Sequence, residues 1–186
     1  MKNILPIAAC AVAVFTALLS TAMAQSSQPY SGMQNRPIKA LSDQQVADLK
    51  AACGMGLALA AELNGYPGPS HLLELSDKLG LTSDQHSALK GMLDAMKAET
   101  IQLGENLVAQ EKELDRLFAE NVISEQQLMA ATENIGETQA HLRNAHLRHH
   151  LLARAILQPS QIHRYAELRG YDAEPQASTH HKHNQE

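Results

Sequence analysis

Histidine is the residue type in this chain best equipped for chemistry. The stretch His141-Leu142-Arg143-Asn144-Ala145-His146-Leu147-Arg148-His149-His150 carries four of the ten histidines. His146 and His150 are spaced i,i+4, and His146 and His149 i,i+3. On a helix both spacings set imidazoles on one face, close enough to share a transition-metal ion. Met92 and Met96 form another i,i+4 pair. Imidazole suits zinc, nickel, cobalt or copper, and thioether biases a mixed site toward copper(I). Methionines at such spacing equally serve as core filler. Three more histidines, His180, His181 and His183, crowd the end of the chain, where a His-rich tract captures divalent metal loosely. His71 and Glu74 sit one helical turn apart, and either ligate metal or mark a helix start. No HExxH, P-loop, GxGxxG or nucleophile elbow occurs, so no catalytic residue is assigned and no enzyme is expected. No metal or other cofactor is required by this reading.

Composition narrows the class. The chain has 186 residues, 15 Lys+Arg against 20 Asp+Glu, six aromatics, no Trp and two Cys. Two cysteines cannot staple a disulfide mini-protein. The acidic balance and few aromatics exclude a basic nucleic-acid binder or a base-stacking platform. Lys2, the apolar run from Ile4 to Leu19 and Ala22-Met23-Ala24 read as a secretory signal peptide over 1–24, cut before Gln25. The run is too short for a membrane span, so no stable membrane insertion is expected after cleavage. Processing removes one lysine and no acid. The remaining chain carries formal charge −6 with His neutral and +4 with all ten His protonated. It therefore changes sign in mild acid. Cys53 is then the one cysteine left, and its place on an apolar stripe favours burial over a bond between chains.

The elements that must position these residues are helical. Residues 25–41, with Pro29, Gly32 and Pro37, read as a flexible arm. Ser42 and Gln45 make a capping box for a helix over 42–63, with Val46, Leu49, Cys53, Leu57 and Ala60 on one face. Asn64 to Pro69 breaks it, and a short helix over 70–79 ends at Gly80. Thr82 and Gln85 cap a helix that meets no proline to about Glu120, roughly 55–60 Å at ~1.5 Å per residue. Leu89, Leu93, Met96, Leu103, Leu107, Leu114 and Leu117 form its seam, with Thr100 and Gln110 in polar slots. Ser124 and Gln127 cap a partner helix to about Leu157, with seam Leu128, Ala131, Ile135, Leu142, Ala145, His149, Leu152 and Ile156. Antiparallel pairing places His146 opposite about Met96. Pro159 opens a last helix ending near Gly170, and residues 172–186 are expected to be disordered. The expected fold is all-α: a long antiparallel helical hairpin with short flanking helices, its apolar surplus covered by a second copy in an elongated dimer.

Leu81-Thr82-Ser83-Asp84-Gln85 reads as an LTxxQ motif, and Leu157-Gln158-Pro159-Ser160-Gln161 sits where a second copy, often LTPxQ, would lie. With the leader and the His-rich end, the region from Ser42 to Gly170 resembles the Spy/CpxP family, whose relatives include the zinc-resistance-associated protein ZraP and the metal sensor CnrX. The resemblance implies a periplasmic, non-enzymatic helical homodimer. It also implies ATP-independent chaperoning of unfolded envelope proteins, binding of a sensor kinase's periplasmic domain, or response to heavy metals. Leu81, Thr82, Gln85, Leu157 and Gln161 carry the motif, and their expected role is to start helices; no client-binding residue is assigned. Gln158 departs from the pattern, since Gln is a poor N-cap, and the last helix is expected to fray. The expected function is chaperone-like holding in the periplasm, with metal sensing or resistance as the alternative.

Overall fold

A computed structural model describes residues 28–172. The expected leader over 1–24 and the tail histidines His180, His181 and His183 lie outside the described residues. Residues 28–31 form a turn of their own, in which the Ser31 N–H donates to the Gln28 carbonyl at 2.9 Å. From Gly32 onward a 3-10 turn, Met33–Asn35, precedes the helices α1 (Asp43–Lys50), α2 (Leu59–Glu62), α3 (Pro69–Glu74), α4 (Ser76–Leu79), α5 (Ser83–Ala119), α6 (Glu125–Ala155) and α7 (Pro159–Arg169). Among the described residues there is no strand.

The three capping boxes start the helices they were read to start. Thr82 accepts the Gln85 N–H at 3.2 Å while Gln85 Oε1 accepts the Thr82 N–H at 3.0 Å. Ser42 with Gln45 and Ser124 with Gln127 repeat the exchange. Each box satisfies two of the donors that a helix start leaves orphaned. From these starts α5 and α6 run as a packed long pair. Gln85 at the start of α5 donates to the Ile156 carbonyl at the end of α6, at 2.8 Å, and Arg148 of α6 reaches Glu99 of α5 at 2.5 Å. Leu49 of α1 joins Leu107, Ile135 and Leu142 in one apolar cluster. Leu72, Leu79, Leu89, Ala153, Leu157 and Tyr165 make a second, toward the other end of the pair. Thr100 fills its polar slot fully buried, its hydroxyl donating to the Met96 carbonyl at 2.8 Å. Gly104 lets α1 approach: a Cβ there would collide with the Leu49 carbonyl oxygen.

Five expectations are corrected. Residues 42–63 are not one helix. α1 stops at Lys50, and Ala52, Met55 and Gly56 take left-handed φ of 59°, 45° and 78°. Gly54 and Gly56 together weaken the helix enough for a strap, 51–58, to form instead. Cys53 lies on that strap and is exposed, not buried on a stripe, because the helix ends before reaching it. The 70–79 helix is two, α3 and α4, and Leu75 sits at the joint. The arm is docked from Ile38, which is buried, and Lys39 bonds Asp115 through its N–H and its Nζ, at 3.3 and 3.1 Å. The seam of α6 also departs from its expected course: Ile135, Leu142, Ala145 and His149 are buried and Ile156 packs on the Leu72–Tyr165 cluster, but Leu128 and Leu152 are exposed. A straight helix drifts about 20° per heptad off a seven-residue spacing, which turns Leu152 outward and brings the fully buried Ala153 into its place.

The two motif glutamines do more than cap. Gln85 Nε2 donates to Gln161 Oε1 at 2.8 Å, and Gln161 Nε2 donates back to Gln85 Oε1 at 3.0 Å. Gln161 is buried, and its Oε1 also accepts the Gln158 N–H at 2.9 Å. The side chain three residues inside α7 thus replaces what Gln158 lacks as a cap, and α7 runs for 11 residues to Gly170, where a left-handed φ of 71° ends it. This reciprocal amide pair ties the start of α5 to the start of α7. Gln85→Ala and Gln161→Ala are each expected to cost about 1–3 kcal/mol in urea unfolding, since each strands a partly buried amide. The double variant should cost less than the two costs added. Additive losses would show that the pair does not act as a unit.

Candidate functional site

One buried carboxylate gathers the end of the molecule opposite the α5–α6 turn. Glu62, the last residue of α2, is only 5% exposed. An ionised carboxylate so placed must be met by donors. The Gly68 N–H donates to Oε2 at 3.1 Å, the Tyr171 hydroxyl to Oε1 at 3.1 Å, and the Tyr165 hydroxyl also to Oε1. His71 Nδ1 stands 3.4 Å from Oε1, His150 Nδ1 3.7 Å from Oε2 and Arg169 Nε 3.9 Å from Oε1. Burial pushes this carboxyl up, but His71, Tyr165 and the Gly68 N–H outweigh it and bring it down to about 2. Its own burial, then the contact with Glu62, push the Tyr165 hydroxyl up, so it remains a donor. The proline break thereby acquires a purpose: it brings the Gly68 N–H under the carboxylate and starts α3 with Pro69, placing His71 beside it.

Glu62 and its histidines form one wall of an open-mouthed cavity of about 500 Å³. The strap 51–58 covers it, and Met96, His146 and His150 line it from α5 and α6. His150 Nδ1 donates to the Tyr66 carbonyl at 2.7 Å, which leaves its Nε2 with the lone pair in the neutral ring. That ring lies against Gly68, where a Cβ would come within 2.8 Å of His150 Cε1. His146 is 3% exposed, and its Nε2 is buried with no hydrogen-bond partner. Burial, then the neighbouring His150 and His149, push the His146 imidazole below its ordinary value, so the ring is held neutral.

The sequence-assigned metal set divides here. Met96, His146 and His150 line one cavity. Met92 instead packs with the Leu72–Tyr165 cluster. His149 is turned into its own helix, Nδ1 donating to the Ala145 carbonyl at 2.8 Å. His71 turns to Glu62, and Glu74 accepts from Ser70 at 3.3 Å, so these two do not act as a pair. Among the described residues no three His, Cys, Asp or Glu side chains converge to hold a metal ion. Of the motif residues, Leu81 and Leu157 join the same apolar cluster as Met92, Thr82 caps α5, and Gln85 bonds Gln161. Nothing in the spacing of Glu62, Tyr165 and Arg169 along the sequence marks them as partners. Comparison with family models, curated proteins and solved structures gives no match.

The carboxylate sets a pH dependence. Glu62 is depressed in the folded chain relative to its ordinary value of 4.5, so its stabilisation is present above about pH 4.5 and is lost as pH falls toward about 2. His146 adds a shallower loss as pH falls through 6.5, because the unfolded ring takes a proton that the folded one resists. Urea midpoints measured from pH 7 to 3 should therefore fall in two stages. Glu62→Gln should cost on the order of 3 kcal/mol at pH 7 and remove the lower stage. A lower stage that persists in Glu62→Gln would assign it to another group.

Proposed function

We propose that this chain is an exported envelope protein that holds unfolded proteins without ATP, as the Spy/CpxP proteins it resembles do. One observation carries the reading. Phe118, Val122, Leu128 and Met129 are 53, 53, 37 and 57% exposed, and all four flank the turn between α5 and α6. A soluble chain that leaves a phenylalanine and three aliphatic or thioether side chains together at a rod's end has kept surface for a partner. No pocket is needed there: flexible aliphatic and methionine side chains repack against varied apolar segments. Glu113, Arg116 and Glu120 border the patch, with Arg116 held to both acids at 2.7 and 2.5 Å. A charged border steers encounter and lets a client leave.

In this reading the α5–α6 pair is the antiparallel hairpin of an elongated homodimer. A second copy would cover part of the other exposed apolar residues, among them Leu59, Leu63, Leu151 and Leu152. A sensor kinase's periplasmic domain would compete for the same surface as clients. No described helix is long and apolar enough to cross a membrane. The purified protein should suppress light scattering from a chemically denatured client at stoichiometric amounts. The combined Phe118→Ser, Leu128→Ser and Met129→Ser variant should lose most of that protection. Its stability should be nearly unchanged, because exposed substitutions cost within about 0.5 kcal/mol each. Full protection by the variant would remove the tip from the function.

A second reading, metal capture, is favoured by His146, whose Nε2 is buried without a partner and which lines the cavity with Met96 and His150. Protein dialysed after exposure to zinc, nickel or copper(I) should retain metal. His180→Ala/His181→Ala/His183→Ala should lower the loosely held zinc or nickel fraction. Dialysed protein free of every metal would end this reading.

A further inference from the structure

The strap over the cavity carries Cys53-Gly54-Met55-Gly56, two soft sulfur donors separated and followed by glycines. Cys53 and Met55 line the same cavity as Met96, His146 and His150. We propose that this cavity is a copper(I) site, with the Cys53 thiolate, the Met96 thioether and His146 Nε2 as ligands and Met55 as a further thioether at the mouth. The proposal deepens the metal-capture reading and rests on it, but it changes the donor set and narrows the ion to copper(I).

Several features select this ion. A structural divalent zinc site takes four ligands from Cys, His and acids, in a tetrahedron. No three such side chains converge among the described residues, and Glu62 is already engaged by Tyr165, Tyr171 and the Gly68 N–H. Copper(I) is satisfied by two or three soft ligands, and thiolate and thioether are the donors that select it. The donors present are of that kind. His146 supplies what makes this more than a cysteine beside a hollow. It lines the cavity, and its Nε2 is buried with no hydrogen-bond partner. Packing accounts for Met96, which is 7% exposed, but not for Met55 at 42% or for Cys53, which is exposed.

Anaerobic competition against the chromogenic copper(I) chelator bicinchoninate tests this with the full chain. The wild type should withdraw one equivalent of copper(I). Cys53→Ser and Met96→Leu should each weaken binding on the order of tenfold to hundredfold, and His146→Asn more than either. The Cys53 substitution is on the surface and the Met96 substitution conserves volume, so both variants should keep the wild-type urea midpoint. X-ray absorption at the copper edge should show sulfur neighbours that diminish in both. His180→Ala/His181→Ala/His183→Ala should bind copper(I) as the wild type does. Wild-type affinity in Cys53→Ser and Met96→Leu would overturn the site. So would copper(I) binding that disappears with the tail histidines. A wild type that retains zinc or nickel but not copper(I) also overturns it, while leaving metal capture standing. Failure to bind any of the three metals overturns both.

Discussion

A carboxylate taken out of water must be surrounded by donors, and that requirement organises one end of this molecule. Glu62 stands at the end of a four-residue helix that could not persist by itself. Its oxygens are answered from the turn after α2, by Gly68, and from α7 and the residue beyond its cap, by Tyr165 and Tyr171. α3 and α6 add His71 and His150 at the edge of hydrogen-bonding reach. Five short or late segments therefore share one charge. Replacing that charge by a hydrocarbon would leave two hydroxyls and an amide N–H unpaired, so the donors depend on the acid as much as the acid on them. Arg154 adds an outer tie: it donates to the Gly65 carbonyl at 2.9 Å and lies 4.5 Å above the Tyr66 ring.

The rest of the rod is held differently. Along α5 and α6 the ties are mainly apolar, from Leu89 through Leu107 and Ile135, with Arg148 to Glu99 a polar tie and Thr100 bonding within its own helix. The Gln85–Gln161 pair marks where the regimes meet, joining the first turn of α5 to the first turn of α7 beside the Leu72–Tyr165 cluster. Polar networks give a unique arrangement when every member is satisfied, whereas an apolar seam tolerates sliding. Concentrating the polar network at one end fixes the register of the long pair there and lets the seam only propagate it.

What was legible in the sequence follows from the range of the forces involved. Ser42/Gln45, Thr82/Gln85 and Ser124/Gln127 were readable because a capping box is closed within four residues. The α5 seam was readable because helical periodicity repeats over many turns. Glu62 was not, because its partners Tyr165 and Tyr171 lie more than a hundred residues away and nothing near Glu62 announces them. Cys53 was misplaced for a related reason: Val46, Leu49 and Cys53 continue a stripe by spacing, while Gly54 and Gly56 quietly end the helix that would carry it. The metal set was half legible. Spacing put His146, His149 and His150 on a helix, but only the turn of each ring decides its use. His149 spends its Nδ1 on Ala145, His150 on Tyr66, and His146 leaves Nε2 without a partner.

The division of labour along the rod bears on how an exposed apolar tip can coexist with a folded protein. An apolar patch destabilises a fold when the fold would rather bury it, and at a compact domain's centre a shift of a few ångströms would do so. Here the patch of Phe118, Val122, Leu128 and Met129 sits at the far end of a 37-residue helix, about 55 Å from its start. No other described helix is long enough to fold back over it, and the Gln85–Ile156 and Arg148–Glu99 bonds oppose sliding of α5 against α6. Helix length thus keeps the apolar tip uncovered, and the bonds of Gln85 and Arg148 between α5 and α6 keep that length in register. Substitutions at either end should be separable in their effects, because the residues share no contacts and the helices between them transmit register rather than side-chain packing.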